Sequence, residues 1–272
     1  MYRLVLSDLD GTLLNGNKQI SKRTIQTVNQ LTKKGILFVP ATGRLDVMTK
    51  PYLKSMQNVN LVIGCDGAMV RNVRTGEILY ENTLSADACR KVFEICRMYG
   101  LSYYIFTRDC LVGDDKKNDR LMIHQKFNQK VKKDEMIPIA FTERLDDFVD
   151  YHTVCKIVAS HTEKEYLDWV AKKIRQEVKV DAVRSGKNVL GIKAAGVSKA
   201  AAMEKLAKIL RIDLKEIVTF GDEVNDIEML EKAGLGIAME NADDAVKRKA
   251  DETTRSNEED GVAVKLEQIW KL

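Results

Sequence analysis

No stretch of the chain approaches the roughly eighteen consecutive apolar residues of a membrane-spanning helix, so a membrane span is excluded. The N-terminus is a strand-like run that already carries Asp8, with no basic segment, apolar core and cleavage site of a secretory signal. Cysteine is sparse and scattered: Cys65, Cys89, Cys96, Cys110 and Cys155 form no CxxC pair. An odd number at irregular spacing argues against a disulfide framework and for a reducing, cytoplasmic setting. Histidine is rarer still, at His124, His152 and His161, all in the middle of the chain. A zinc site and a Ser/His/Asp triad therefore lack support. Charge of one sign is missing too: 44 basic and 40 acidic residues leave a formal net charge of +4. The basic clusters "DDKKNDR" (114–120) and "NQKVKKDE" (128–135) are interleaved with acids, which reads as solvated surface and speaks against a nucleic-acid partner. There is no internal repeat and no low-complexity linker.

What the chain does have is a globular composition, 44% hydrophobic and 31% charged, and a regular alternation of strand and helix patterns. "YRLVLSD" (2–8) is continuous and apolar, as expected of a parallel strand covered on both faces. "SKRTIQTVNQLTKKG" (21–35) places Ile25, Val28 and Leu31 on one stripe after an N-cap at Ser21. "ILFVPAT" and "NLVIGCDG" are further strands, and a hairpin follows over Thr75-Gly76. From 85 to 188 the pattern changes to an α+β module, including a helix over 162–178 with a Thr162/Glu165 capping box. The α/β alternation resumes at Ser198, with a strand at 216–222 and a helix after "LGIAME" capped by Asn241. The economical architecture is an α/β fold, a doubly wound, mostly parallel (Rossmann-like) sheet built from residues 1–83 and 189–272. Residues 84–188 then form an inserted α+β domain.

Four strands end in polar, glycine-containing segments: "SDLDGT", "PATGR", "CDGA" and "FGDEVND". Ligands of open α/β sheets bind beyond the carboxyl ends of the strands. If these strands are parallel neighbours, Asp8, Asp10, Thr42, Asp222 and Asp226 converge on one crevice. Two like charges about 4 Å apart repel by roughly 4 kcal/mol at an effective dielectric near 20. Either some of these acids protonate or a cation sits among them. With oxygen donors alone, a hard cation is expected, and Mg²⁺ fits best. Mg²⁺ at such a site usually accompanies phosphate, and phosphate donors are at hand in the Leu9 amide, Thr42, Gly43, Asn225 and Lys199.

Each signal has a plainer reading. "DLDGT" could be an acidic turn, although it fails as an EF-hand because Gly11 is fourth from Asp8 rather than sixth. "GDEVND" could be an N-cap cluster, Lys199 a surface lysine, and Asp66 a turn residue. The joint occurrence in this order, each at a strand end or helix start, favours chemistry.

That combination resembles the haloacid-dehalogenase (HAD) superfamily of phosphatases, in its Cof-like branch with an inserted α/β cap (type IIB). The matching motifs are "DLDGTLL" (8–14), "ATGR" (41–44), "GVSKAAAMEKL" (196–206), "FGDEVNDIEML" (220–230) and the tail "IAMENA…SNEEDGVA" (237–263). The resemblance implies that Asp8 is the nucleophile and that Asp10 protonates the leaving oxygen and then activates water. It implies Mg²⁺ held by Asp8, Asp222 and the Asp10 backbone carbonyl, with Asp226 in support. Leu9, Thr42, Gly43, Lys199 and Asn225 would bind the phosphoryl oxygens, and Arg44 would help on the cap side. Two departures stand out. Asp66-Gly67-Ala68 replaces the branch's Asn-Gly-Ala, and Ser198-Lys199-Ala200 replaces its Ser-Lys-Gly. The expected substrate is a small phosphorylated metabolite, a sugar phosphate first, and the expected state a monomer or weak homo-oligomer. A phosphosugar mutase is the alternative within enzymes. A phosphoaspartate signalling module is the alternative outside them, although receivers are much shorter and lack a second acid placed like Asp10. Selectivity is expected from cap residues such as Tyr103, Tyr104, Arg108, His124 and Arg184.

Overall fold

The computed structural model describes residues 1–114, 118–129, 131–186 and 188–272. Asp115, Lys116 and Lys117 of the first basic cluster and Lys130 of the second lie outside the described residues. In chain order the elements begin with β1 (Leu4–Ser7), α1 (Lys22–Lys33), β2 (Leu37–Pro40), α2 (Lys50–Leu53), β3 (Leu61–Gly64), β4 (Met69–Asn72) and β5 (Ile78–Glu81). Then come α3 (Ala86–Met98), β6 (Ser102–Thr107), β7 (Leu111–Gly113), α4 (Asp119–Asn128), β8 (Ile139–Phe141), α5 (Leu145–Phe148), β9 (Val154–Ser160), α6 (Lys164–Glu177), β10 (Val180–Gly186) and β11 (Val189–Ala194). The chain closes with α7 (Lys199–Leu210), β12 (Ile217–Gly221), α8 (Ile227–Lys232), β13 (Leu235–Ala238), α9 (Asp244–Lys247), β14 (Glu252–Thr253) and α10 (Gly261–Trp270). They form two compact units, one from Met1–Glu81 with Ser198–Leu272 and the other from Asn82–Val197.

The first unit is built on a five-stranded sheet in the order β14-β13-β12-β1-β2, parallel throughout. The apolar run of β1 is explained by its position, since Val5 packs into a cluster with Val28 and Leu31 of α1 and Leu266 of α10. Leu4 and Leu6 point the other way, against Met203 and Leu206 of α7 and Met229 of α8. A strand buried on both faces alternates between two cores, so Leu4, Val5 and Leu6 are apolar in succession. Pairing on one side to β2 and on the other to β12 makes the end of β1 the point where the strand order reverses, the usual place for a ligand crevice. β3 is less a member of this sheet than its sequence suggests. It runs beside β2 but is joined to that strand's end by the isolated bridge Ala41↔Ile63, and it pairs antiparallel with β4 in a separate sheet, β3-β4-β5.

The second unit holds a six-stranded sheet in the order β10-β11-β9-β6-β7-β8. Its own core gathers Phe93 and Cys96 of α3, Leu167 and Ile174 of α6, and Ile105, Ile157 and Ile192 of the sheet. Ending the insert at residue 188 would cut the β10–β11 hairpin, whose antiparallel register runs from Val180↔Ala194 inward; the unit continues to Val197. Two helix starts differ from expectation. The N-cap of α6 is Glu163 without a side-chain cap bond, so the Thr162/Glu165 box does not form, and the Glu163 amide donates to His161 Nδ1 at 3.1 Å instead. The N-cap of α9 is Asp243, not Asn241, whose side chain is engaged elsewhere. None of the five cysteines is in a disulfide; four of them are buried and Cys110 is partly so. Burial pushes the Cys89 and Cys96 thiols up to about 12, which leaves them as packing groups. Among the described residues no helix is long and apolar enough to cross a membrane.

Candidate active site

Asp8 follows the last residue of β1, and its amide donates to Phe220 O of β12 at 2.9 Å, so the sheet itself aims the carboxylate. Lys199, the first residue of α7, is the reverse of a surface lysine: its side chain is 1% exposed. Its ammonium donates to Asp8 Oδ1 and, at 2.6 Å, to Asp226 Oδ1. Ser198 starts this helix by capping the Ala201 amide at 3.0 Å, and the Ala200 that replaces a family glycine is fully buried in the α7 packing. The approach of α7 is close enough to require Gly67, whose φ of +101° suits glycine and whose Cβ would overlap the Ser198 carbonyl.

Asp222 lies just beyond the end of β12, beside β1. Thr12 Oγ1 donates to its Oδ1 at 2.5 Å. Asp226 Oδ2 accepts the amides of Asp222 and Glu223, both at 3.0 Å. Oxygens of Asp8, Asp222 and Asp226 lie within 4.8 Å of one another. Three carboxylates thus share one ammonium. Burial pushes the Asp8 carboxyl well above its usual value, with Asp226 and Asp222 adding to the push and Lys199 alone opposing it. Burial likewise raises Asp222 to about 6. Burial disfavours charge on Lys199 as well, but Asp226 and Asp8 outweigh that and hold it protonated. The cluster is short of positive charge and offers only hard oxygen donors, which is the donor set a divalent cation such as Mg²⁺ fits. Both Asp226 oxygens are taken, by Lys199 and by the two amides, which suits a supporting place better than a ligand's.

Asp10 faces a different set of partners. Arg44 grips it with two hydrogen bonds, Nε to Oδ2 and Nη2 to Oδ1, each 2.6 Å, and Lys18 Nζ reaches Oδ1 at 2.9 Å. Burial works against its ionisation, yet the bonds from Arg44 and Lys18 win and hold the carboxyl below its ordinary range. Arg44 is steadied in turn by Tyr52, whose hydroxyl accepts from Nη1 at 3.0 Å. Both oxygens of the Asp10 carboxylate are thus engaged by cationic side chains.

The remaining expected residues line the strand ends. Thr42 is buried, and its Oγ1 accepts the Arg44 amide at 3.2 Å. Leu9 is fully buried, and its carbonyl takes the amides of Leu13 and Leu14. Asp66 sits in a tight turn with φ +57°, and its Oδ1 accepts from Asn225 Nδ2 at 3.0 Å. The carboxylate also lies against Gly43, where a Cβ would come within 2.8 Å of Oδ1. The substitution Asp for Asn at this position therefore puts a negative charge beside two expected phosphate donors. The structure joins Asp8, Lys199, Asp222 and Asp226 directly; Asp10 with Arg44, and Asp66 with Asn225, form flanking pairs. Thr12, Lys18 and Tyr52 were not singled out from the sequence, although Thr12 lies within the "DLDGTLL" motif and Lys18 four residues past it.

Residues 5–266 match the model of the haloacid dehalogenase-like hydrolases. The chain belongs to that family. A Bacillus subtilis relative named 5-amino-6-(5-phospho-D-ribitylamino)uracil phosphatase is 28% identical over 298 residues, covering 99% of this chain and 98% of its own. A haloacid dehalogenase-like hydrolase from Bacteroides thetaiotaomicron superposes with a TM-score of 0.85 at 29% identity, covering 99% and 100% of the two chains. A solved HAD subclass IIB sugar phosphatase shares the fold, with a TM-score of 0.82 at 22% identity over 99% of this chain and 100% of its own.

Proposed function

We propose that this HAD-type phosphatase hydrolyses small phosphorylated metabolites, sugar phosphates foremost, in an Mg²⁺-dependent reaction through an aspartyl-phosphate on Asp8. The observation that carries the reading is the buried cluster in which Lys199 bridges Asp8 and Asp226 while Asp222 stands beside them. The relative named for a phosphoribityl substrate favours a polyhydroxylated ester.

Phosphate-monoester hydrolysis needs up to ~10²¹-fold acceleration, more than one group can supply. Asp8, fixed by β1 pairing, attacks phosphorus and expels the ester oxygen, which splits the reaction into two steps. Lys199 stays charged throughout and neutralises the phosphoryl oxygens as they gather beside Asp8. Thr42, Gly43, Leu9 and Asn225 supply hydrogen-bond donors to the same oxygens. Asp8, Asp222 and the Asp10 carbonyl would hold Mg²⁺, which when bound offsets the negative charge of nucleophile and phosphate. Asp10 protonates the departing oxygen and then takes a proton from the water that hydrolyses the acyl phosphate. The ionised state in which Arg44 and Lys18 hold it is the one the second step requires. For the first step it must pick up a proton and turn from at least one of those partners. The inserted unit is read as the cap and the source of selectivity.

The test is phosphate release from 4-nitrophenyl phosphate and a panel of sugar phosphates. Activity is expected with Mg²⁺ and lost with a chelator. Asp8→Asn is expected to fold, to bind Mg²⁺ and to release no phosphate; full turnover in that variant would refute the mechanism.

A further inference from the structure

The loop that carries Asp10 out of β1 closes partly on itself, the Leu13 and Leu14 amides donating to Leu9 O and the Asn15 amide to Gln19 O. Residues 11–16 belong to no helix or strand of the sheet, yet their backbone groups need partners. For the Gly11 and Leu14 carbonyls the partners come from the other end of the chain. Asn241 Nδ2 donates to Gly11 O at 2.8 Å, and Asn257 Nδ2 donates to Leu14 O at 2.8 Å. The two asparagines are themselves joined, Asn257 N to Asn241 Oδ1 at 3.0 Å, and Glu258 accepts the Gly16 amide. On its inner side the same loop meets the acid cluster. Gly11 has φ +87°, its Cβ would overlap the Asp222 carboxylate, and Thr12 bonds that carboxylate directly. Further out, the turn at 15–19 closes through Asn15 and returns Lys18 to Asp10. Asp10 thus sits where a loop pressed on one side by Asp222 is tied on the other to the tail.

We propose that Asn241 and Asn257 are positioning residues for Asp10, the C-terminal tail setting where its carboxylate meets the ester oxygen. The proposal rests on the acid–base reading of Asp10, and the two can be separated. If the asparagines only stabilise the tail, replacing them lowers turnover of every ester alike. If they position the acid, the loss depends on how much the leaving group needs a proton. Phenyl phosphate has a basic leaving oxygen and needs it, whereas 2,4-dinitrophenyl phosphate does not.

The experiment measures kcat/KM for these two esters with full-length wild type, Asn257→Asp, Asn241→Ala and Asp10→Ala, alongside each thermal midpoint. Asn257→Asp removes the donor to Leu14 O and sets a carboxylate against a carbonyl. Misplacing a reacting group by about 1 Å costs on the order of a hundredfold, so kcat/KM for phenyl phosphate should fall about ten- to a hundredfold. That for the dinitrophenyl ester should fall less than about threefold, as expected where acid assistance is not needed. Equal losses on both esters, or none, would overturn the proposal, provided Asp10→Ala shows the selective loss. If Asp10→Ala also loses equally on both, the acid–base reading fails and the proposal with it. Should Asn257→Asp not fold, Asn241→Ala reads the same ratio through Gly11.

Discussion

At the scale of single residues, the position of Lys199 decides most. An ammonium with a 1% exposed side chain, bonded to two acids, is not there for solubility. Removing one member of a buried charge group leaves the others uncompensated and typically costs about 3–5 kcal/mol. Lys199→Met should therefore unfold at lower urea concentration by about that free energy at neutral pH and should release no phosphate. A variant as stable as wild type would mean that Asp8 and Asp226 find other partners. The convergence of Asp8 and Asp222 was legible because strand ends of a parallel sheet share one edge, and the order of motifs already names the strands. Thr12, Lys18 and Asn257 were not legible, because their roles depend on how a loop closes. No periodicity encodes which of several nearby polar residues such a loop will meet.

At the scale of elements, α1 and α10 are clasped at the surface of the first unit. Arg23 holds Glu267 by two bonds, of 3.1 and 2.6 Å, and Thr27 adds a third at 2.8 Å. The Arg23 bond is the larger cause that keeps the Glu267 carboxyl below its ordinary 4.5. A carboxyl with a lowered folded value contributes stability above its unfolded value, and the contribution is lost as pH falls through the folded one. Because both partners are partly exposed, the contribution is no more than about 1 kcal/mol. Glu267→Gln should lower the thermal midpoint slightly at pH 7 and should converge with wild type well below pH 4.5. A gap that persists in acid would assign the effect to lost packing instead. The helices and strands themselves were mostly legible. Ser21 caps the helix that follows, and β1 reads as buried on both faces because it is. At two helix starts the pattern misled: Thr162 and Asn241 satisfy the capping pattern, but nearby groups offered the amides and side chains other partners. For Asn241 that competing partner is the Gly11 carbonyl, a contact spanning most of the chain.

For the whole molecule, the division of apolar residues is informative. The core around Phe93 and Ile157 draws only on the second unit, and those around Val5 and Leu6 draw only on the first. A unit with its own core can fold alone. Residues 82–197 expressed by themselves should show a cooperative thermal transition and the amide dispersion of a folded protein; a non-cooperative, exchange-broadened fragment would contradict this. Its existence was plain from the change of pattern after residue 84, but its far boundary was not. A strand pair whose partners follow one another directly looks, in sequence, like a return to the α/β core.

The pairing of β1 with β12 carries a further consequence, for synthesis on the ribosome. Leu4 pairs with Leu37 on one side and with Ile217 on the other. The first neighbour is available almost at once, whereas the second is made some 180 residues later. At ~5–20 residues per second, β1 waits on the order of 10–40 s with one edge open. During that interval the nucleophile's strand, with Leu4, Val5 and Leu6, keeps one unpaired edge on a nascent chain, and the insert emerges and can fold while it waits. The same topology that places Asp8 against Asp222 makes the N-terminal half a client for whatever shields nascent strands in the cell.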